Sequence, residues 1–330
     1  MSSRLPSWRR RAALAALGLA AVSALAPASA QTPYPNKPIR LVVGYAPGGS
    51  VDMAARVVAD LLTARLGATV VVENVAGAAG VVAAQRVATS PADGYTLFVG
   101  SSNELAGTGQ VNPAQKYDPQ TDFTPVGVVA TASVLLAAGP RMNVKNMDEF
   151  IALLKRNPGR FSYGSSGVGS LQHFAGELLK QRAGIFMTHI PYRGTAPLTS
   201  DLVGGALDFA MVSPTAAAPF LQNQRFVALG ITSAKRFAAL PQVPAIGEHP
   251  QLKGYELAGW FALVAPKGLP PEITQRLGSA LKAGLADPVI RRRLDEGGAI
   301  PATGDEDLAR LMREDIAKYA QLVKFANMRE

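Results

Sequence analysis

From Ile39 onward the chain repeats one arrangement: a short β-branched run, a turn rich in Gly or Ser, and an amphipathic helix. "IRLVVGY" leads through "APGGS" into a helix from about Val51 to Leu66, and "TVVVENV" follows it. In that helix Asp52, Arg56 and Asp60 recur every four residues on one face, while Ala54, Val57, Val58, Leu61 and Leu62 fall on the other, the pattern of a half-buried helix. Val-rich strands connected by such helices predict an α/β fold with a largely parallel sheet covered on both sides.

A second unit follows at "AGAAGVVAAQRVATS" and "DGYTLFVGSS", so that two strands end in Gly and Ser. Ligands of open parallel sheets sit beyond the carboxyl ends of the strands. After "DFTPVGVVATASVLLAAGP" the units start again: a helix at "NMDEFIALLKRNPG", a strand at "FSYGSS", a helix from Ser170 to about Arg182, a strand at "MTHIPY" and a helix from Thr195 to Val203. "LDFAMVS" then precedes a helix opened by Ser213 and Pro214, a cap followed by a favoured first residue. This restart predicts a second α/β domain. No glycine-serine linker separates the two, and apolar strands occupy both candidate crossings, which is hinge geometry rather than a tether. "YELAGWFALVAP" returns the chain, and a last helix is expected from Asp305, with Asp305, Glu306 and Asp307 in its first turn. Its stripe of Leu308, Leu311, Met312, Ile316, Tyr319, Leu322 and Val323 is suited to docking.

The first thirty residues read as an export signal. Arg4, Arg9, Arg10 and Arg11 form a basic head, "AALAALGLAAVSALA" is too short to span a bilayer, and "ASA" is a small-residue cleavage site, so the mature chain is expected to begin near Gln31 after Ala30, in the periplasm. Removing those four arginines lowers the formal charge from +9 to +5. The remaining Lys and Arg are scattered, which gives nucleic-acid binding little support. With no Cys and three His, disulfides, thiol catalysis and thiolate metal sites are excluded and a multi-histidine zinc site is not expected. No cofactor is implied.

Three loops carry the chemistry. Following Tyr45, the turn at Gly48 and Gly49 opens the first helix at Ser50, Val51 and Asp52. Its glycines fit neither nucleotide-binding fingerprint, which leaves a general anion seat, where backbone approaches a carboxylate and the helix end adds partial positive charge, or a bare turn. Asp52 either caps the helix or touches a ligand. The second loop is "YGSSGVGSLQHF": Ser165, Ser166, Gly167 and Gly169 precede the expected cap Ser170. Hydroxyls and N–H groups without lysine suit a carboxylate better than a triphosphate. His173 falls on the polar side of this helix, at the surface or lining a pocket. In the third, Tyr192, Arg193, Gly194 and Thr195 join a strand to a helix; Arg193 is either a carboxylate ligand or an exposed residue. Asp208 fixes a loop or receives an amine or water, and Ser101 and Ser102 either reach the same ligand or are loop polar residues. The serines lack G-x-S-x-G, and Ser279 with Lys282 is an unsupported S-x-x-K, so a hydrolase is disfavoured.

Taken in order, "PGGSVDMAAR", "DGYTLFVGSS", "DFTPVG", "GSSGVGSLQHFAGELL", "PYRGTAPLTSDLVGG" and "LPQVPAIGE" resemble the Bug/TctC extracytoplasmic solute receptors, the binding components of tripartite tricarboxylate transporters. The resemblance runs from "YPNKPIRLVV" to the end. It implies a two-lobed periplasmic-binding-protein (Venus-flytrap) fold that closes on one small carboxylate without catalysis, is monomeric, and serves membrane transporter subunits. It places lobe 1 at 31–130 plus 257–330 and lobe 2 at 131–256. The loops at Gly48 to Asp52, Ser101 and Ser102, Ser165 to Ser170, and Tyr192 to Thr195 with Asp208 are then expected to face the cleft. "YAPGGSVD" and "ENVAGAAGVV" depart from the family's usual prolines, so ligand identity is not carried over. A sensor for a signalling receptor, or an exported hydrolase or isomerase, are the rival readings.

Overall fold

Strand β1 (Ile39–Val43) is buried at Ile39, Leu41, Val42 and Val43, as its apolar run requires of a strand inside a covered sheet. It lies between β2 (Val70–Asn74) and β3 (Thr96–Ser101), parallel to both. Helix α1 (Ser50–Leu66) connects β1 to β2 and ends at Gly67 in the left-handed region, a usual helix stop. Helix α2 (Val81–Ala88) connects β2 to β3. The structure, a computed structural model, describes residues 34–113 and 115–328; the expected export signal lies outside the described residues. From Lys37 onward these residues form one compact unit.

The sheets are mixed, which corrects the expectation of largely parallel ones. After β4 (Phe123–Ala132), the returning strand β10 (Gly259–Pro266) inserts between β4 and β3, antiparallel to both, and β11 (Ala299–Pro301) runs antiparallel to β4. The first sheet is therefore ordered β11-β4-β10-β3-β1-β2. Being central, β10 buries all eight of its residues. In the second sheet β6 (Ser162–Ser165) is parallel to β7 (Thr188–Pro191) and β8 (Phe209–Val212), while β5 (Leu135–Ala138) enters antiparallel between β8 and β9 (Val227–Ile231). Strands that carry the chain between sheets arrive from the opposite end and so pair antiparallel. Strands β9 and β11 have no counterpart among the sequence expectations.

Helices α3 (Met147–Arg156), α4 (Leu171–Ala183), α5 (Thr195–Gly204) and α6 (Pro214–Gln222) belong to the second sheet's segment. The expected caps appear: Ser170 Oγ accepts from His173 N–H, and Ser213 Oγ from Ala216 N–H. Helices α7 (Pro271–Leu285), α8 (Pro288–Glu296) and α9 (Leu308–Ala326) complete the described chain. The last one starts at Leu308, not Asp305; Asp307 is its cap, accepting from Arg310 N–H at 2.9 Å. Leu308, Met312, Tyr319 and Leu322 of the expected stripe are buried, and Tyr319 stacks on Phe174 of α4 with centroids 4.2 Å apart.

The chain crosses between the sheets at Ser133–Val134 and again between β9 and β10. Thr232, fully buried, joins both crossings: it exchanges hydrogen bonds with Val134 (Thr232 N–H to Val134 O and Val134 N–H to Thr232 Oγ1, each 3.0 Å), and its carbonyl accepts from Leu257 N–H at 2.9 Å. Thr232→Val keeps the shape and strands the Val134 N–H. The expected cost is about 1–2 kcal/mol, read as a lower urea midpoint with unchanged slope; an unchanged midpoint would show that the hydroxyl contributes nothing there.

Candidate functional site

At the carboxyl end of β1 the chain turns through Gly48, whose φ of +89° suits glycine, into α1. The first intrahelical bond runs from Met53 N–H to Gly49 O, so the N–H groups of Gly49, Ser50 and Val51 stand outside the helix's own ladder. Asp52 is 2% exposed. Its carboxylate accepts from Gly48 N–H (2.9 Å), Asn74 Nδ2 (2.8 Å) and Arg56 Nε and Nη2 (2.9 and 3.1 Å). Burial raises its pKa, but the bonds from Arg56, Gly48 and Asn74 outweigh that and hold it below the usual value. Asp52 thus ties the turn at Gly48 to α1 and to Asn74 at the end of β2.

Beside this loop, β3 ends at Ser101 and the chain passes through Ser102, both buried, into a π-helical turn, Asn103–Gly107. Glu104 is fully buried and accepts from Ser101 N–H (2.6 Å), Ser101 Oγ (2.6 Å) and Tyr45 OH (2.8 Å). Burial lifts its pKa to about 7 despite the bonds from Ser101. Burial, then the Glu104 charge, pushes the Tyr45 phenol well up. Glu104 was not anticipated, although S-x-x-E from Ser101 is the spacing at which a glutamate reaches back to a backbone N–H.

In the second sheet, β6 and β7 pair Ser165 with Pro191, which sets the loops 165–170 and 192–195 side by side. Ser165 Oγ donates to Gly167 O and accepts from Gly167 N–H, Ser166 Oγ donates to Gln172 Oε1, and Ser170 Oγ donates to Gly167 O. Gly169, at φ +75°, donates its N–H to His173 Nδ1 at 3.3 Å. Tyr192 donates its N–H to Ser165 O (2.9 Å) and its hydroxyl to Asp201 (2.8 Å); burial first, then Asp201, raises that phenol to about 12. Arg193 is exposed, and Gly194 precedes the first helical residue Thr195.

His173 is 4% exposed rather than at the surface, because α4 is packed on nearly every side. Its ring stacks on His189 with centroids 3.7 Å apart and planes 11° apart, and His189 Nε2 lies 2.7 Å from Ser165 Oγ. Burial, then His189 and Lys180, lowers the His173 pKa to about 2; burial, then Lys180, lowers that of His189 to about 4, so both rings are neutral. Asp208 accepts from Ser162 N–H (2.8 Å) and Oγ (3.0 Å). It precedes β8 and secures the start of β6, at the amino ends of these strands and therefore opposite the Ser165 loop.

The two halves meet. Leu171 N–H, the first of α4, donates to Asn103 Oδ1 at 2.9 Å, and Asn103 Nδ2 donates to Tyr45 OH at 3.1 Å. An open groove of about 600 Å³ also borders Gly48 and Asp52, but its lining, including Arg56 and Arg293, comes entirely from the first sheet's segments.

Residues 54–328 match the family described as the tripartite tricarboxylate transporter family receptor. The chain is 33% identical to protein BugT of Bordetella pertussis (strain Tohama I) over 317 residues, 94% of this chain and 96% of that protein. Among solved structures, it superimposes on Rpa4515 of R. palustris with adipate at a TM-score of 0.81, with 34% identity over 90% of this chain and 99% of that one. For MatC (Rpa3494) from Rhodopseudomonas palustris with bound malate, the TM-score is 0.76 and the identity 30%, over 88% of this chain and all of that one.

Proposed function

The chain belongs to the tripartite tricarboxylate transporter receptor family, and we propose that it captures one small organic carboxylate between two lobes and presents it to a membrane transporter. The lobes are 31–130 with 257–330 and 131–256, and the crossings joined at Thr232 act as the hinge. The observation that carries this reading is the meeting, at Asn103 and Leu171, of glycine- and serine-rich loops from the carboxyl ends of both sheets.

In this reading the ligand takes N–H groups at Gly49, Ser50 and Val51 from lobe 1, and N–H groups of the Ser165 to Ser170 and Tyr192 to Thr195 loops from lobe 2. Helix amino ends and neutral donors suffice for a carboxylate. Tyr45, Asp52, Ser101 and Ser102 shape the first seat, and His173 backs the second. The chain acts in the periplasm after losing its leader near Ala30. It performs no chemistry: Ser165 and His189 have the spacing of a nucleophile and base, but Ser165 is fully buried and its Oγ is bonded to Gly167.

A thermal-shift screen of C4 to C6 dicarboxylates, citrate, aromatic carboxylates and neutral controls tests the proposal. A ligand at a hundred times its Kd adds about 2.7 kcal/mol, and the melting temperature should keep rising with its concentration. If no carboxylate moves it, even after unfolding and refolding to strip any copurified ligand, the carboxylate reading fails.

A further inference from the structure

The Asn103 side chain hydrogen-bonds to both halves of the site. Its Nδ2 donates to Tyr45 OH at 3.1 Å, and its Oδ1 accepts Leu171 N–H at 2.9 Å, across 68 residues of sequence. Leu171 is the first residue of α4, so its N–H has no acceptor within the helix. Ser170 Oγ already serves His173 N–H. A first-sheet side chain thus supplies the rest of the cap of a second-sheet helix. Tyr45 OH continues the line to the buried Glu104 at 2.8 Å.

The surroundings show how closely the two segments approach. A Cβ on Gly107 would lie 2.8 Å from the Phe174 ring and 3.0 Å from Gly169 O, and one on Gly169 would lie 2.6 Å from the Val111 side chain. These contacts pack the Asn103–Gly107 turn directly against the amino end of α4.

We propose that Asn103 is the positioning residue that latches the closed cleft, tying the lobe 1 loop at Tyr45 to the amino end of α4 in lobe 2. This rests on the two-lobe reading above. Parting the lobes exchanges the Asn103–Leu171 bond for water, so the bond favours the closed state alone and slows ligand escape. One such bond corresponds to about a three- to tenfold change in Kd.

The test uses backbone chemistry. Proline is tolerated as the first helical residue, and Ser170 at φ −76° and ψ 158° is already in the conformation that precedes proline. Leu171→Pro therefore deletes the N–H, while Leu171→Ala deletes only side chain. The chain has no cysteine, so spin labels can be placed on cysteines introduced at the exposed positions Ala64 and Lys155. Label distances are measured without ligand and with adipate or malate, together with stopped-flow rates.

Asn103→Ala and Leu171→Pro should raise the dissociation rate about three- to tenfold, leave the association rate within about twofold, and shift the label distances toward the open form. Leu171→Ala removes side-chain packing on Gly259 but keeps the N–H, and should move the distances less than Leu171→Pro. Equal behaviour of Leu171→Pro and Leu171→Ala, or wild-type distances and rates in Asn103→Ala, would overturn the latch. If the wild type binds neither dicarboxylate, the distances of the unliganded proteins decide: the latch requires a closed fraction that Asn103→Ala reduces, and identical distributions refute it.

Discussion

Asp52→Ala should lower stability by about 2–4 kcal/mol, roughly 3–6 °C in melting temperature for a chain of this size, and should weaken carboxylate binding at least tenfold. The Arg56 pair contributes little to this loss, since that side chain is 51% exposed and can return to water. The loss comes from Gly48 N–H and the Asn74 amide, which the carboxylate holds at 2.9 and 2.8 Å. Without it the turn before α1 loses its support and the seat its shape. Asp52→Asn preserves the volume and should fall between the two. Because the Asp52 pKa is depressed in the fold, its contribution is complete at neutral pH and is lost only as the pH falls through that lowered value. Calorimetry and ligand titration on the three proteins decide; a melting temperature within a degree of wild type in Asp52→Ala would remove Asp52 from the architecture of the site.

Acid should destabilise the folded protein well before its surface carboxylates titrate. An unfolded histidine titrates near 6.5, whereas in the fold His189 is lowered to about 4 and His173 to about 2. Below pH 6.5 the unfolded chain takes up two protons that the fold refuses, at about 1.4 kcal/mol per pH unit for each, so about 4 kcal/mol is lost by pH 5. The charged and titratable groups around the pair are Lys180, which disfavours protonation, Glu177 with Oε1 4.0 Å from His173 Nε2, and Tyr163.

Glu104 acts in the opposite sense. Its folded pKa, raised to about 7, lets the fold take up a proton before the unfolded chain does, which offsets roughly half of that loss between pH 7 and 5. Glu104→Gln should therefore steepen the fall in melting temperature on acidification, and His189→Gln should flatten it. A melting temperature that stays level from pH 7 to 5 in Glu104→Gln would refute the buried neutral pair.

Local signals in the sequence carried over well. Ser170 and Ser213 cap the helices they were expected to cap, and the Gly48–Gly49 turn opens α1, because capping depends on a few adjacent residues. Strand direction did not carry over: β5 carries the chain into the second sheet and β10 brings it back into the first, each pairing antiparallel with its neighbours, and no period-2 pattern encodes that. His173 was assigned to a polar face because α4 carries His, Glu and Lys among its apolar residues. The ring is instead buried against His189 of β7, beside Tyr163 of β6, and only tertiary packing reveals it. Glu104 stayed hidden for a related reason: a carboxylate just after Ser101 and Ser102 shows nothing of its burial until its three donors are seen together.

The position of β10 has a consequence for the order of assembly. The second sheet is built from one continuous stretch, Leu135 to Ile231, whereas the first lacks its central strand until residues 259–266 are available. As the chain emerges from its amino terminus, β3 and β4 have no common neighbour and their apolar edges stay open. The later-encoded lobe can therefore finish first, and the earlier one is completed by an insertion across more than a hundred residues, a slow closure of high contact order. A truncation ending before Gly259 should leave a folded second lobe beside an unfinished, aggregation-prone first one.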